Sequence, residues 1–219
     1  MSSEYSKTTD AFRCDECGEE MAVPLFCDHC GTNYPERRAM GPFTVLGLAA
    51  RFDHDPQTFE SRELTLAARL HPDKWQSEGE RTHKRAQLAW SAVNEALAKT
   101  QDPFARAETL LSDTEACEEK ATVPQMFLIE QLELQEELET PVATERRKTL
   151  NRSIRKELKE LERQLAGHFE IIDATALAGT AAGEGRLMAL KAASTVVHMS
   201  RYWRNAQRAL RGAAAQSRN

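Results

Sequence analysis

The sequence predicts an all-α chain: a helical hairpin, then a three-helix bundle, preceded by a small cysteine-bearing module. Three observations carry that expectation. Aromatic residues are only 6 % of the chain, while charged residues reach 29 % and hydrophobic ones 41 %. Such a composition suits amphipathic helices better than sheets built on aromatic and β-branched side chains. From Pro42 onward apolar residues recur at helical spacing, and four of the five cysteines fall between Cys14 and Cys30.

Charge and hydropathy exclude several classes. The net charge is −5 and the pI about 5.8, which argues against nucleic acid or an anionic membrane surface as main partner. No apolar run approaches the ~20 residues of a membrane span. Met1 to Asp10 carries acids and no hydrophobic segment, so neither a secretory signal nor a transit peptide is visible. The expectation is a soluble protein of a reducing compartment. A bacterial-type cytosol is favoured over a mitochondrial matrix.

Cys14-Asp15-Glu16-Cys17-Gly18 and Cys27-Asp28-His29-Cys30-Gly31 repeat one pattern. A Cys-x-x-Cys turn lets two thiolates reach one ion, and the glycine after each pair allows the positive φ that such turns need. Cys14, Cys17, Cys27 and Cys30 thus supply the four thiolates of a closed tetrahedral Zn²⁺ site; iron takes the same set. A redox Cys-x-x-Cys or two disulfides are the other readings of the spacing. A closed site has no open position for catalysis, so the metal is expected to act as a staple. It would fold residues 11–35 and leave the rest autonomous. His29 is superfluous to the set.

The helices follow in order. Gly41-Pro42 marks a boundary. Residues 56–70 carry Phe59, Leu66, Ala67 and Leu70 on one face, and Pro72 stops the helix because the residue before a proline is pushed out of the α region. A second helix, about 79–100, aligns Ala89, Ala92, Val93, Ala96 and Leu97; the two would pack as an antiparallel hairpin with a short loop. Asp102-Pro103 reads as N-cap and first-turn proline of a short helix bearing Phe104, Ala107, Leu110 and Leu111. The acidic stretch 113–122, which includes Cys117, reads as a connection.

Three more helices follow. The one at about 123–139 has two apolar stripes. Val123, Phe127, Leu134 and Leu138 cluster within about 60° of one another, while Leu128, Ile129 and Leu132 lie about 100° to 200° away from Phe127. The first stripe is enough to dock the helix. The second is either buried between two neighbours or an apolar patch rimmed by Glu133, Gln135, Glu136 and Glu139. From 150, Leu150, Ile154, Leu158, Leu161, Leu165, Phe169 and Ile172 step by fours and threes. The last helix shows Ala189, Val196, Trp203 and Leu210, with Ala192, Met199 and Ala206 between them. Gly179, Gly183 and Gly185 punctuate the turn before it.

The loop of the hairpin carries Arg69-Leu70-His71-Pro72-Asp73-Lys74. As catalysis the pair His71/Asp73 is poor, since no nucleophile completes it. On its own it reads as a helix stop followed by a cap, or as an imidazole and a carboxylate presented by a rigid proline. Helix, His-Pro-Asp-Lys, helix, then Asp102-Pro103 and Arg106-Ala107-Glu108 resembles a J domain. With Leu46-Gly47-Leu48, Trp75, Asn94, Leu110-Leu111-Ser112 and the run Phe127 to Leu138, residues 42–211 are similar to HscB, the J-type co-chaperone family of iron–sulfur cluster assembly. Some members carry an N-terminal domain with two Cys-x-x-Cys pairs, and Cys14 to Cys30 resembles it. Leu97 and Thr109 stand where the family often has aromatics, and Thr100 where it has leucine.

The resemblance implies three parts: residues 1–40, a tetracysteine zinc-binding module; 41–113, a J-domain helical hairpin; and 114–219, a C-terminal three-helix bundle. It implies that Arg69, His71, Pro72, Asp73 and Lys74 engage a DnaK/HscA-type ATP-dependent chaperone and stimulate its ATPase. Leu128, Ile129, Leu132, Glu133 and Glu136, with Arg201 and Tyr202, would hold an IscU-type scaffold. The chain would be no enzyme, since the ATPase chemistry belongs to the chaperone. Two other functions fit parts of the sequence: a general J-domain co-chaperone for unfolded clients, and a zinc-ribbon nucleic-acid-binding protein. Acids at 15, 16, 19, 20 and 28 oppose the latter.

Overall fold

A computed structural model of the chain describes residues 12–34, 37, 40–112, 114, 122–140, 142–177 and 183–216. Met1 to Asp10, most of the 113–122 connection with Cys117, and Gly179 lie outside the described residues. Two compact units divide between Arg106 and Ala107. Among the described residues the fold is all-α apart from isolated bridges, and no helix is long and apolar enough to cross a membrane.

In the first unit, antiparallel bridges Arg13–Glu20, Val23–Phe26 and Phe26–Asn33 shape the cysteine module. Helix α1 (Pro42–Leu46) opens on a proline and closes on Gly47 at φ 66°. Helix α2 (Pro56–Leu70) starts where the Asp55 carboxylate accepts the Gln57 amide at 2.9 Å, with Pro56 in the first turn. That is the cap-plus-proline start expected of a helix with orphan amides. Helix α3 (Glu80–Thr100) runs back, and α4 (Pro103–Leu111) begins where Asp102 accepts the Ala105 amide at 2.9 Å. The joint between α2 and α3 differs from the expected short loop: Pro72–Glu78 forms a 3-10 helix, led by a fixed-φ proline and ended at Gly79, φ 92°.

The core of this unit holds a second difference. Ala22, Val23, Leu25 and Phe26 of the cysteine module belong to the same buried cluster as Leu46, Phe59, Leu66, Leu70, Val93 and Leu97 of the helices. The module expected to be a separate staple of residues 11–35 thus shares its buried side chains with the helices rather than packing on its own. Fully burying a side chain such as Phe26 contributes about 1.5–3 kcal/mol, and here the buried surface is lent by the helices. Thr100 is also fully buried, its hydroxyl donating to the Ala96 carbonyl at 2.8 Å within its own helix.

The second unit contains α5 (Gln125–Glu139), α6 (Thr144–Leu177) and α7 (Gly183–Gln216). Helix α5 starts two residues later than expected because Pro124 keeps Val123 out of the α region. Helices α6 and α7 pack along each other, and α5 packs on α7. The α6 stripe Leu150, Ile154, Leu161, Leu165, Phe169 and Ile172 is buried as expected. On α7 the intermediate positions shift by one residue. Ala193, Val197 and Ser200 are buried, whereas Ala192 and Met199 are only half-buried. Ser200 escaped a hydrophobic pattern because it is polar; its hydroxyl donates to the Val197 carbonyl at 2.7 Å. Gly183 and Gly185 lie in the first turn of α7 rather than before it.

Candidate functional site

The two cysteine turns fold alike. Gly18 donates its amide to the Cys14 carbonyl and Gly31 to that of Cys27, each at 2.9 Å, and both glycines take φ 74°. Each first cysteine also donates its amide across its own turn, Cys14 to Glu19 and Cys27 to Thr32. The result brings all four Sγ atoms within 4.8 Å of one another. Two of the sulfur contacts run between the turns: Cys14 to Cys30 is 3.6 Å and Cys17 to Cys27 is 3.7 Å. A tetrahedron with metal–sulfur bonds of about 2.3 Å has edges of about 3.8 Å, so the residues fit a four-thiolate metal centre. All four are free thiols, and the sulfurs of both turns converge on one point, as a shared ion requires.

The electrostatics fit the same purpose. Burial raises the Cys14 thiol, but the Tyr34 hydroxyl at 3.2 Å and the amides of Cys17 and Glu16 outweigh it and hold it at about 6. Burial pushes Cys27 up to about 12 against the amides of Cys30 and His29. Sulfurs this close resist ionising together, and a divalent cation removes that conflict. His29 is exposed outside the set.

His71 caps the 3-10 helix: its Nδ1 accepts the Asp73 amide at 3.4 Å and lies 3.5 Å from the Asp73 carboxylate. Its ring stands edge-on to Trp90, centroids 5.7 Å apart. Pro72 directs its carbonyl at His83 Nδ1, 3.1 Å away. Asp73 and Lys74 are exposed, and Lys74 Nζ donates to the Ala68 carbonyl. Arg69 is exposed too, but its Nε is held by Asp28. The tripeptide thus projects from a helix end braced on several sides.

On α5, Phe127 is buried edge-on to Tyr202 and Trp203 of α7, at 5.8 and 6.0 Å between centroids. Leu134 and Leu138 pack against Leu150, Ile154 and Leu210. The other stripe stays open: Leu132 is 61 % exposed and Ile129 43 %, while Leu128 is half-buried. Glu133 and Glu136 are exposed beside them. Tyr202 is exposed at the α5 side of α7, and Arg201 forms an ion pair with Glu108. Sequence reasoning missed Gln131, buried at 7 % exposure on the docked face with its Nε2 lacking a partner. Its helical angle, about 40° from Phe127, was the available signal. Arg106 was also missed as a buried hub, and Asp28 as the anchor of Arg69.

One unit with a helical hairpin that projects His-Pro-Asp, and another with an acid-rimmed apolar helix face, together have the parts of a J-type co-chaperone. A family model described as the HSCB C-terminal oligomerisation domain matches residues 123–211. A co-chaperone HscB homolog of Neisseria meningitidis is 35 % identical over 126 residues, 54 % of this chain and 75 % of that one. Homologs from Pasteurella multocida and Vibrio cholerae are 33 % and 37 % identical over 104 and 108 residues, 46 % and 48 % of this chain. The match spans only 60 % and 63 % of those two relatives. Two solved structures share the fold. Human co-chaperone HscB has TM-score 0.67 and 20 % identity, over 91 % of this chain and 96 % of that one. Vibrio cholerae HscB has TM-score 0.59 and 24 % identity, over 81 % and 99 %. The chain belongs to the HscB co-chaperone family.

Proposed function

We propose that this chain is a co-chaperone of iron–sulfur cluster assembly that couples two protein partners. The C-terminal unit holds an IscU-type scaffold through Leu128, Ile129, Leu132, Glu133 and Glu136, with Tyr202 and Arg201 alongside. The tip formed by Arg69, His71, Pro72, Asp73 and Lys74 engages a DnaK/HscA-type chaperone and stimulates its ATP hydrolysis, which promotes cluster transfer. Cys14, Cys17, Cys27 and Cys30 hold a structural Zn²⁺, whose chemistry is to neutralise and join the thiolates. Residues 1–40, 41–113 and 114–219 are the module, the J domain and the scaffold-binding domain, working in a bacterial-type cytosol.

The observation that carries this reading is the His71-Pro72-Asp73 tip in one unit, half-buried at His71 and Pro72 and exposed at Asp73 and Lys74, and a solvated Ile129/Leu132 face in the other. Two separate interaction surfaces suit a coupling protein better than a catalyst. A reconstituted ATPase assay with purified chaperone and scaffold tests it. Hydrolysis should rise when the chain is added and rise further with scaffold present. No stimulation at micromolar chain overturns the proposal.

A further inference from the structure

The second cysteine turn lies against both flanks of His71-Pro72-Asp73. On the near side, Asp28 sits between the ligand cysteines Cys27 and Cys30, and its carboxylate accepts from Arg69 Nε, two residues before His71. The Asp28 side chain is only 9 % exposed and also accepts the Ala22 amide at 3.2 Å. A carboxylate that buried, bonded to a guanidinium and a backbone amide, is well anchored. On the far side, Phe26 stands edge-on to Trp75, two residues after Asp73. The backbone of the turn is flush with the 3-10 helix and the first turn of α3: a Cβ on Gly31 would lie 2.7 Å from Thr82 and 3.5 Å from Trp75. One short, metal-shaped turn therefore grips the end of α2 and the 3-10 helix together.

We infer that Asp28 is a positioning residue for the His-Pro-Asp tip, whose consequence for the chaperone rests on the co-chaperone reading: the metal-binding turn clamps Arg69 and Trp75 and so sets how the tip is presented. The clamp restricts the tip before any partner arrives. A loosened tip has more conformations to lose on docking, which weakens engagement without altering what the docked tip does. The signature is a shift in the chain concentration needed for half-maximal stimulation, with the maximum unchanged.

The test uses the full chain loaded with zinc. Asp28→Asn keeps the shape and removes the charge; Asp28→Glu keeps the charge. Amide hydrogen exchange over residues 73–78 should quicken about tenfold in Asp28→Asn, with α6 and α7 unchanged, and return toward wild type in Asp28→Glu. The half-maximal concentration for ATPase stimulation should rise about five- to tenfold at an unchanged maximum. Unchanged exchange at 73–78 overturns the clamp, and so does a rise spread evenly through α2 and α3, which reports a weakened fold instead. Faster exchange with an unmoved stimulation curve overturns the positioning role. If wild-type chain gives no stimulation, the co-chaperone reading fails, while the exchange data still decide whether Asp28 restrains the tip.

Discussion

The Phe26 ring stands edge-on to the Trp75 indole, centroids 4.9 Å apart and planes at 87°. Phe26 precedes Cys27, one of the four converging cysteines, and Trp75 follows the His-Pro-Asp tripeptide. Edge-to-face pairs contribute about 0.5–1.5 kcal/mol beyond the area they bury. Phe26 is fully buried, so its loss is felt through the whole cluster of α1, α2 and α3.

Metal removal should therefore destabilise the entire first unit. Strong chelation, or Cys27→Ser, is expected to unpack Val23, Leu25 and Phe26 and to cost the helices on the order of 2–5 kcal/mol. Thermal melts followed by circular dichroism, with limited proteolysis to assign the fragment, check it. A hairpin that melts identically with and without metal would show the module to be autonomous after all.

His71→Gln removes the imidazole from the tip while leaving the hydrophobic core untouched. Stimulation of the chaperone's ATPase should fall to the unstimulated rate, with helicity and scaffold affinity unchanged. Undiminished stimulation by the variant refutes the role given to the tip.

Ile129→Ala/Leu132→Ala separates the two stripes of α5. Both side chains are solvated, so stability should change by no more than about 0.5 kcal/mol per site. Scaffold binding should weaken by about 2–4 kcal/mol, a factor of roughly 30 to 1,000 in affinity, as expected for central hot-spot residues. Titration calorimetry beside a thermal melt reads both. Full affinity in the double variant removes this face from the interface.

Arg106 carries the fourth prediction. At 4 % exposure its guanidinium donates to the carbonyls of Phe52 at 2.7 Å, Thr100 at 2.6 Å and Gln101 at 3.0 Å. It also lies over the Phe59 ring, 4.7 Å from its centroid. Lysine keeps the charge but cannot fork to several carbonyls. Arg106→Lys should cost about 2–4 kcal/mol through donors lost and carbonyls left buried, measured by urea unfolding. A cost below about 0.5 kcal/mol, the scale of an ordinary surface change, would mean that water replaces the fork.

Much of this molecule is written in short stretches of sequence. Asp55-Pro56 and Pro72 bound α2 because a side-chain cap, a missing amide and a fixed φ act within three residues. The repeated Cys-x-x-Cys-Gly shapes its own turn, so four converging thiolates were legible, as was the place of His-Pro-Asp at the end of the first hairpin helix. Periodicity also located the buried stripe of α6, because 3.6 residues per turn is a local property of the chain.

Other features arise from pairing across distance. A hydrophobic angle says that α5 has two apolar stripes, but only the position of α7 decides that Phe127 is covered and Leu132 is not. Ala192 and Ala193 are equally apolar, and the lateral fit of α6 against α7 selects the second. Arg106 is in the sequence only part of an Arg-Ala-Glu motif; the carbonyls of Phe52 and Gln101 that surround it come from elsewhere in the fold. The cysteine module looked separate because its sequence has no helical period. Its Val23, Leu25 and Phe26 are too few to make a core alone, so they complete the core of the helices. Burial is shared between segments, and no single segment encodes it.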